Sequence, residues 1–316
     1  MELISVIVPC YNEQEVLPLF YPEIIRVSNL MKDQFENIEF EFLFINDGSK
    51  DNTLNELRDL ARKDSRVRYI SFSRNFGKEA GMYAGLKESK GDYVVVMDAD
   101  LQHPPAFLPQ MFDFVKNQGY DCATTRRVSR KGESKVRSWF ARRFYSIINK
   151  ISQTEIVDGA QDFRFMNRKM VDSILQMSEY NRFSKGIFSW VGYKTKYIEY
   201  ENVERAAGTT AWSFWKLFLY SIEGIVAFST APLSVPVVLG SLESFAGLVL
   251  LIVGIVRTCM VTASQAAWIL AGLIAGFIGL TTICIGVLGV YMSKIYMEVK
   301  NRPIYLVSET EKDIQK

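Results

Sequence analysis

Cysteine and histidine are scarce in this sequence, and the few present are scattered. Among 316 residues there is one histidine, His103, and there are four cysteines, Cys10, Cys122, Cys259 and Cys284. No two cysteines stand at the short spacing of a zinc knuckle or a redox motif, so neither kind of site is expected, and a reducing compartment suits the chain. Because His103 has no second imidazole as a partner, we interpret it as a loop residue and not as a metal ligand.

An excess of charge of one sign is lacking too. Lysine and arginine number 37 and aspartate and glutamate 35, which gives a net charge of +2. Domains that bind nucleic acid usually carry a strongly basic face, so no nucleic acid is expected as a partner. Residues 1–9 lack the basic start, long apolar core and small-residue cleavage site of a signal peptide. We therefore expect the N-terminal half to stay in the cytosol.

Four short apolar runs, each followed by a polar stretch that could be helical, organise the first half: residues 4–9, 40–46, 67–72 and 93–97. The runs are nearly continuous in Val, Ile, Phe and Tyr, as in parallel strands that helices cover on both faces. The pattern predicts an α/β fold with a Rossmann-like, mostly parallel sheet. Ligands of such sheets bind beyond the carboxyl ends of the strands, so the functional site is expected there.

Two later segments are long and apolar enough to cross a bilayer. Residues 233–256 carry one charge, on Glu243, and residues 266–292 carry none. Lys216 and Lys294 flank the pair on its outer sides. The positive-inside bias therefore places both termini in the cytoplasm, with the protein in the plasma or inner membrane.

The segments around these spans complete the predicted organisation. A catalytic domain covers residues 1–211. Residues 212–232 repeat apolar side chains at three- and four-residue steps, which predicts an interfacial amphipathic helix or, alternatively, a helix packed on the catalytic domain. Residues 293–316 form a cytosolic tail, whose charged end from Glu309 onward is expected to be disordered. Glycines at four-residue spacing in the second span allow packing on the first span or on another subunit of a homo-oligomer.

Two carboxylates, Asp98 and Asp100, follow the apolar run at residues 93–97. At the mouth of a sheet they could hold Mg²⁺ or Mn²⁺, because such a cation binds through one or two carboxylates and completes its shell with water and phosphate oxygens. A lone Asp-x-Asp is more often a solvated turn or a helix cap. Its sequence context decides between these interpretations.

That context is an ordered series of motifs: Val8-Pro9-Cys10-Tyr11-Asn12-Glu13, Asn46-Asp47-Gly48-Ser49, Ser73-Arg74-Asn75-Phe76-Gly77-Lys78-Glu79, Asp98-Ala99-Asp100-Leu101-Gln102, Asp162-Phe163-Arg164 and Glu204-Arg205. The series resembles glycosyltransferase family two, with its GT-A fold. Within that family it is most similar to the polyprenyl-phosphate branch, which includes dolichol-phosphate mannose synthases and bactoprenol glucosyltransferases. The resemblance covers nearly the whole chain and implies an inverting transfer.

The resemblance also assigns residues to roles, motif by motif. The implied nucleotide-binding residues are Pro9, Tyr11, Glu13, Asp47, Lys78, Asp98 and Ala99. The implied ligands of Mg²⁺ or Mn²⁺ are Asp98, Asp100 and Gln102, and the implied catalytic residues are Asp100, Asp162 and Arg205. Asp162 matches a carboxylate often assigned as the base. We expect it instead to orient the acceptor or to balance nearby arginines, with a helix cap as the plainer alternative.

A basic segment lies between two of these motifs. Residues 126–143 carry eight lysines and arginines against a single acid, Glu133. Such a run is usually a solvated face, but guanidinium groups suit phosphate, and a domain held at a membrane lies close to anionic headgroups. We therefore predict that the lipid phosphate is bound by Arg126, Arg127 and Lys135, and the resemblance implies the same role for Arg205, which matches the family's arginine near the reacting phosphates.

The predicted reaction moves a sugar from a nucleotide diphosphate onto undecaprenyl phosphate or another polyprenyl phosphate at the cytoplasmic membrane face, giving a lipid-linked sugar for modifying cell-envelope glycans. The chain is most similar to bacterial members that use UDP-glucose or UDP-N-acetylglucosamine, which favours a UDP sugar over the GDP-mannose of mannose synthases. A processive polysaccharide synthase would carry Gln-x-x-Arg-Trp and more spans. An inactive sugar-nucleotide-binding scaffold is favoured only by Ala211, where the family usually has lysine.

Overall fold

A computed structural model describes residues 1–127, 143, 146, 148–151, 156–200, 225–227, 229–258 and 266–314. Strands and helices alternate through the first part: β1 (Glu2–Cys10), α1 (Leu17–Gln34), β2 (Ile38–Asn46), α2 (Thr53–Lys63), β3 (Val67–Phe72), α3 (Lys78–Glu88), β4 (Tyr93–Val96), a 3₁₀ turn (Pro105–Phe107) and α4 (Leu108–Lys116). The next elements are β5 (Cys122–Arg127), β6 (Ala160–Asn167), α5 (Arg168–Leu175), α6 (Ser184–Trp190) and β7 (Thr195–Tyr200). The last are a second 3₁₀ turn (Ala231–Leu233), the long helices α7 (Ser234–Thr258) and α8 (Ala266–Val299), and then β8 (Val307–Thr310) and α9 (Glu311–Ile314).

The strands of the described residues form one sheet in the order β7-β5-β6-β4-β1-β2-β3-β8. The central strand β1 pairs in parallel with β2 and β4, and β2 pairs in parallel with β3. Strand β6 runs antiparallel to both β4 and β5, so β5 and its parallel neighbour β7 point the same way as β1. The predicted mostly parallel sheet is confirmed, and the carboxyl ends of six strands meet at one edge.

Alternating side chains of the central strand enter two apolar layers, one on each face of the sheet. Val6 and Val8 pack in the layer formed with α1, α2 and α4, whereas Ile7 packs in the layer formed with α3, α5 and α6. All three valine and isoleucine side chains are fully buried. Burial on both faces explains why the strands read as continuous apolar runs.

Helices α7 and α8 contain the two candidate membrane spans of the described residues, at Ala231–Val249 and Gly276–Val299. Neither apolar window is buried within the protein. The 34 residues of α8 make a helix about 51 Å long, against a hydrocarbon core of about 30 Å. The helix is therefore longer than a bilayer requires, and it continues beyond the predicted span at 266–292. Most of the predicted interfacial helix at 212–232 lies outside the described residues.

The C-terminal tail is ordered, so the predicted disorder from Glu309 onward is wrong for residues 309–314. Strand β8 pairs antiparallel with β3 at the edge of the sheet. Arg58 Nε lies 2.8 Å from Glu309 Oε1, and the Tyr69 hydroxyl donates to the same carboxylate. Arg68 pairs with Glu311 at 3.2 Å. The charges that suggested a solvated tail are thus the partners of basic residues on β3 and α2.

Candidate active site

The loops after β1 and β2 are tied together at the carboxyl edge of the sheet. The Asn12 backbone N–H donates to Ser49 Oγ at 2.9 Å, and the Lys50 N–H donates to Asn12 Oδ1 at 2.8 Å. The Glu13 N–H is bound by Thr53 Oγ1 at 2.8 Å, at the start of α2. Asn12 adopts a φ of 58°, which asparagine tolerates better than most residues. The network fixes the path of the first predicted nucleotide motif.

This arrangement brings predicted nucleotide residues from two motifs side by side. Pro9 stands opposite Ile45 in the register of β1 and β2, and Asp47 follows directly after β2. Tyr11 is 42% exposed, so its ring is accessible at this edge. The structure places Pro9, Tyr11, Glu13 and Asp47 in one region, the nucleotide half of the site, while contact of any of them with a nucleotide stays a prediction.

Asp47 is held by backbone groups of the loop after β3. Its carboxylate accepts hydrogen bonds from the N–H of Phe76 at 2.6 Å and the N–H of Gly77 at 2.9 Å, and the residue is 4% exposed. Gly77 has a φ of 97°, which L side chains rarely adopt. Burial raises the pKa of Asp47, against the opposing pull of the two N–H groups and Arg74. Asp47 thus fixes a loop, a role that its motif did not indicate.

A lysine bridges two carboxylates in the other half of the site. Lys78 Nζ lies 2.7 Å from Asp98 Oδ1 and 2.8 Å from Asp162 Oδ2. The two aspartates come together because β4 and β6 are antiparallel neighbours, with Val96 opposite Arg164. Lys78 reaches them from the first residue of α3. We call these three residues the Lys78 bridge.

Charge balance within the Lys78 bridge keeps both partners ionised. Burial opposes the charge of Asp162, but Lys78 and, more weakly, Lys185 outweigh it and hold the pKa of that carboxyl well below its usual range. Burial also opposes the charge of Lys78, and the two aspartates outweigh it and raise the pKa of the ammonium. A carboxylate whose pKa is lowered accepts a proton less readily than an ordinary aspartate. Asp162 is therefore suited to balancing a cation and poorly suited to acting as a general base.

Asp162 has one further property that bears on ligands. Its Oδ1 atom is buried and has no hydrogen-bond partner among the described residues. Buried carboxylate oxygens normally find a donor, and those that do not stand out at sites that bind a ligand or an ion. The atom lies in the region where the predicted metal and diphosphate residues converge.

The turn after β4 carries the predicted metal ligands. Asp100 Oδ1 accepts the Gln102 N–H at 3.1 Å, and Leu101 between them has a φ of 56°, which is unusual for a bulky residue. The Asp98 side chain is 28% exposed. Among the described residues no three His, Cys, Asp or Glu side chains form a metal-binding group. Two accessible carboxylates nevertheless fit Mg²⁺ or Mn²⁺, which take their remaining oxygens from water and substrate phosphate.

His103 lies in the same turn, in a loop as expected. It is 6% exposed, and its Nδ1 atom is 2.9 Å from the hydroxyl oxygen of Tyr200 at the end of β7. Burial lowers the pKa of His103, so the ring is neutral near pH 7. The pair connects the turn after β4 to the far strand of the sheet. Nothing in the sequence indicated this contact.

Two of the predicted lipid-phosphate residues end β5 at the same edge. Arg126 Nε donates to the carbonyl oxygen of Asp158 at 3.1 Å, and its guanidinium lies 3.7 Å from Glu199. The Arg127 backbone N–H donates to the Gly159 carbonyl oxygen at 2.9 Å. Lys135 and Arg205 lie outside the described residues. Phosphate binding by these four basic residues stays a prediction.

Sequence reasoning missed one buried contact beside the Lys78 bridge. Glu79 accepts hydrogen bonds from the N–H and the hydroxyl of Ser184, the first residue of α6. Burial raises the pKa of Glu79, although Ser184 opposes the shift. The only signal in the sequence was that Glu79 directly follows Lys78 in a motif.

Comparison with known proteins places the chain in a family. A family model described as glycosyl transferase family 2 matches residues 5–175, the stretch that contains the Lys78 bridge. CsbB of Bacillus subtilis (strain 168), named as a glycosyltransferase, is 42% identical over 314 residues, which are 97% of this chain and 92% of CsbB. The bactoprenol glucosyl transferase of Shigella phage SfX is 39% identical over 308 residues, 96% of this chain and 98% of the phage protein.

Among solved structures, the mannosyltransferase PcManGT from Pyrobaculum calidifontis, in complex with GDP-Man and Mn²⁺, aligns with a TM-score of 0.45 at 16% identity. The alignment covers 94% of this chain and 86% of PcManGT. The family assignment rests on the sequence matches. By those matches the chain belongs to glycosyl transferase family 2 and is a glycosyltransferase.

Proposed function

We propose that this glycosyltransferase moves glucose or N-acetylglucosamine from a UDP donor onto undecaprenyl phosphate, or a related polyprenyl phosphate, at the cytoplasmic face of the membrane. The Lys78 bridge carries the proposal, because it gathers one cation and two carboxylates where six strands end, in a chain that continues into two apolar helices. The full-length similarity to a bactoprenol glucosyl transferase supports a polyprenyl phosphate acceptor.

The proposed acceptor needs little help in losing a proton. A phosphate monoester has a second pKa of about 6, so its oxygen is largely dianionic at neutral pH. The depressed pKa of Asp162 agrees with a reaction in which no strong base is required. Direct in-line displacement by the phosphate oxygen would invert the anomeric carbon. Asp162 then serves the reaction by keeping Lys78 charged and in place.

The donor would lie along the carboxyl edge, with its base in the nucleotide half and its diphosphate near the Lys78 bridge. Asp98 and Asp100, with the Gln102 amide oxygen, would hold Mg²⁺ or Mn²⁺, which when bound offsets negative charge on the departing nucleotide diphosphate. The Lys78 ammonium adds a fixed positive charge at the same place. Arg126 and Arg127, at the end of β5 on the same edge of the sheet, would bind the lipid phosphate.

The pairing of β8 with β3 supports the proposed membrane topology. Residues before α7 and after α8 belong to one domain, so the two helices must leave the domain and return to it. A pair of spanning helices in this arrangement is a hairpin with both ends on one side of the bilayer. The positive-inside bias makes that side the cytoplasm.

The test uses the full-length protein in detergent with undecaprenyl phosphate. It is incubated separately with UDP-glucose, UDP-N-acetylglucosamine and GDP-mannose, each with Mg²⁺, with Mn²⁺ and with a chelator, and the lipids are identified by mass spectrometry. We expect a glycolipid with a UDP sugar, dependent on the cation. The Asp100→Asn variant, which keeps the size of the side chain, should lose at least about 100-fold in turnover because it removes a charged ligand.

Each other outcome of this assay has a definite meaning. If only GDP-mannose gave a product, the proposed UDP donor would be wrong and the proposed transfer to the lipid phosphate would be right. Donor binding without release of nucleotide diphosphate under any condition would point to an inactive scaffold. Unchanged cation-dependent turnover by Asp100→Asn would contradict the proposed metal site.

A further inference from the structure

The C-terminal end of α8 presents a polar stripe to the catalytic domain and to the segment just before α7. Tyr291, Lys294 and Glu298 are spaced three and four residues apart, so they share one face of the helix. The Tyr291 hydroxyl donates to the Ser229 carbonyl oxygen at 2.7 Å, and Lys294 Nζ donates to Asn181 Oδ1 at 3.1 Å. We call Tyr291, Lys294 and Glu298 the docking stripe.

Glu298 makes the most extensive contact of the docking stripe. Its carboxylate accepts hydrogen bonds from the backbone N–H of Tyr180, at 3.0 and 3.1 Å, and from the N–H of Asn181 at 3.2 Å. Both N–H groups belong to the loop between α5 and α6. Hydrogen bonds to a charged acceptor are about twice as strong as neutral ones. Through the Glu298 side chain, α8 therefore binds backbone N–H groups of a loop in the catalytic domain.

The end of the loop next to α6 is packed within the catalytic domain, because Phe183 is buried against Ile148 and Ile156 and the Arg182 guanidinium lies 4.5 Å from the centre of the Tyr83 ring. Toward α8, the loop and the helix line a cavity of about 830 Å³ together, with Tyr180, Lys294 and Glu298 among its lining residues. The polar contacts of the docking stripe are thus the main described restraint between this loop and the helix.

The held loop leads directly to the Lys78 bridge. Ser184 follows the loop at the start of α6, and its N–H and hydroxyl donate to Glu79. Glu79 is the next residue after Lys78, which contacts Asp98 and Asp162. Two noncovalent contacts between described residues, joined by short stretches of chain, therefore connect α8 to Lys78, which itself contacts the two carboxylates.

We propose that Glu298 is a positioning residue: the docking stripe holds the loop at residues 180–184 and thereby sets the placement of Lys78 for sugar transfer. The kinetic part of this inference rests on the proposed function. It predicts that transfer is fastest when the catalytic domain is docked on α8. It also assigns a role to the part of α8 that extends beyond the predicted span.

The experiment compares Glu298→Ala, Glu298→Gln and the matched control Lys300→Ala in the full-length protein. Lys300 lies just after α8 and rests on the Tyr296 ring, so its removal changes charge at the same helix end without touching the loop. Hydrogen–deuterium exchange of residues 180–184 is measured first. We expect exchange to rise at least about tenfold in Glu298→Ala, to rise less in Glu298→Gln, and to match wild type in Lys300→Ala.

Turnover per folded molecule is measured next, with the donor KM. We expect kcat to fall about tenfold in Glu298→Ala with the KM changed less than about twofold, and Glu298→Gln to recover most of the loss. Unchanged exchange in Glu298→Ala would overturn the docking contact. Raised exchange with wild-type kcat would overturn the positioning role. If wild type makes no glycolipid, the proposed function fails, while the exchange result still decides the docking contact.

Discussion

Two aspartates at the carboxyl edge of the same sheet have pKa values that are shifted in opposite directions. Asp47, in the nucleotide half, faces two backbone N–H groups and has a pKa raised by burial. Asp162, in the other half, faces a lysine and has a pKa lowered despite burial. Backbone dipoles offset only part of the cost of burying a charge, whereas a full countercharge exceeds it.

This difference between the two pKa shifts indicates that polar groups have different roles in the two halves of the site. In the nucleotide half, polar groups mainly fix the shape of three loops. In the half with the Lys78 bridge, they maintain a set of charges near the place where the proposed diphosphate would lie. Changes of shape should therefore be costly in the first half, and changes of charge should be costly in the second.

The largest effect is expected for Lys78→Met, which removes the countercharge and keeps the length of the side chain. Turnover should fall about 100-fold or more, because a fixed positive charge near the diphosphate is lost. Asp162 would lose the cation that donates a hydrogen bond to it and keep only the weaker influence of Lys185 and Arg164. Since the lysine side chain is 39% exposed, the loss in free energy of unfolding should be modest, about 1–2 kcal/mol. Glycolipid assays and thermal unfolding measure the two effects.

The pH dependence of Lys78→Met tests the charge argument. In wild type, the lowered pKa of Asp162 adds stability above the unfolded value near 3.9, and this stability is lost as pH falls toward the folded value. In the variant, only Lys185 and Arg164 oppose the effect of burial, so the pKa of Asp162 is higher than in wild type and the stability gained above the unfolded value is smaller. The difference in free energy of unfolding between wild type and the variant should therefore increase from pH 4 to pH 7. A deficit that is constant over this range would contradict the comparison.

A change of shape in the nucleotide half should have the next largest effect. A Cβ added at Gly48, whose φ is 62°, would lie 2.3 Å from the carbonyl carbon of Arg74. Gly48→Ala should lower the free energy of unfolding by about 2–3 kcal/mol, by forcing apart the loops after β2 and β3. The control is Gly119→Ala, with a φ of 69° but open space around the added atom. It should cost about 1 kcal/mol, and equal losses would refute the loop contact.

The smallest effect is expected for Asp47→Asn, which removes charge from the half that depends on shape. Asparagine keeps one acceptor for the Phe76 and Gly77 N–H groups, so about 1 kcal/mol should be lost. Because the wild-type pKa is raised, the stability due to Asp47 is present at low pH and declines as pH rises through the folded value. Thermal unfolding should therefore show that the stability lost by Asp47→Asn, relative to wild type, decreases from pH 4 to pH 7. The stability lost by Lys78→Met should increase over the same range.

Local patterns predicted the first four strands and the places where they end. The apolar runs at residues 4–9, 40–46, 67–72 and 93–97 correspond to β1 to β4, and the carboxylates after β4 lie at the expected edge. These features depend on neighbouring residues and on burial from both faces. The motif resemblance, not periodicity, supplied Lys78 and Asp162 as site residues.

Contacts between distant segments could not be predicted in this way. The Lys78 bridge exists because β6 inserts antiparallel beside β4, a pairing across about 70 residues that no local pattern encodes. Strand β8 was missed for a related reason. It has four residues, Val307–Thr310, and its polar, charged sequence resembles a loose tail until the basic residues of β3 and α2 are brought against it.

The pairing of β8 with β3 makes the catalytic domain discontinuous in the chain, with the two long apolar helices inserted before its last strand. During synthesis this strand emerges only after both helices, so the domain can be completed only once α7 and α8 have been made. A soluble fragment ending before α7 would leave the edge of β3 open to pairing with other chains. Joining residues 300–314 to such a fragment through a flexible linker would restore the missing edge.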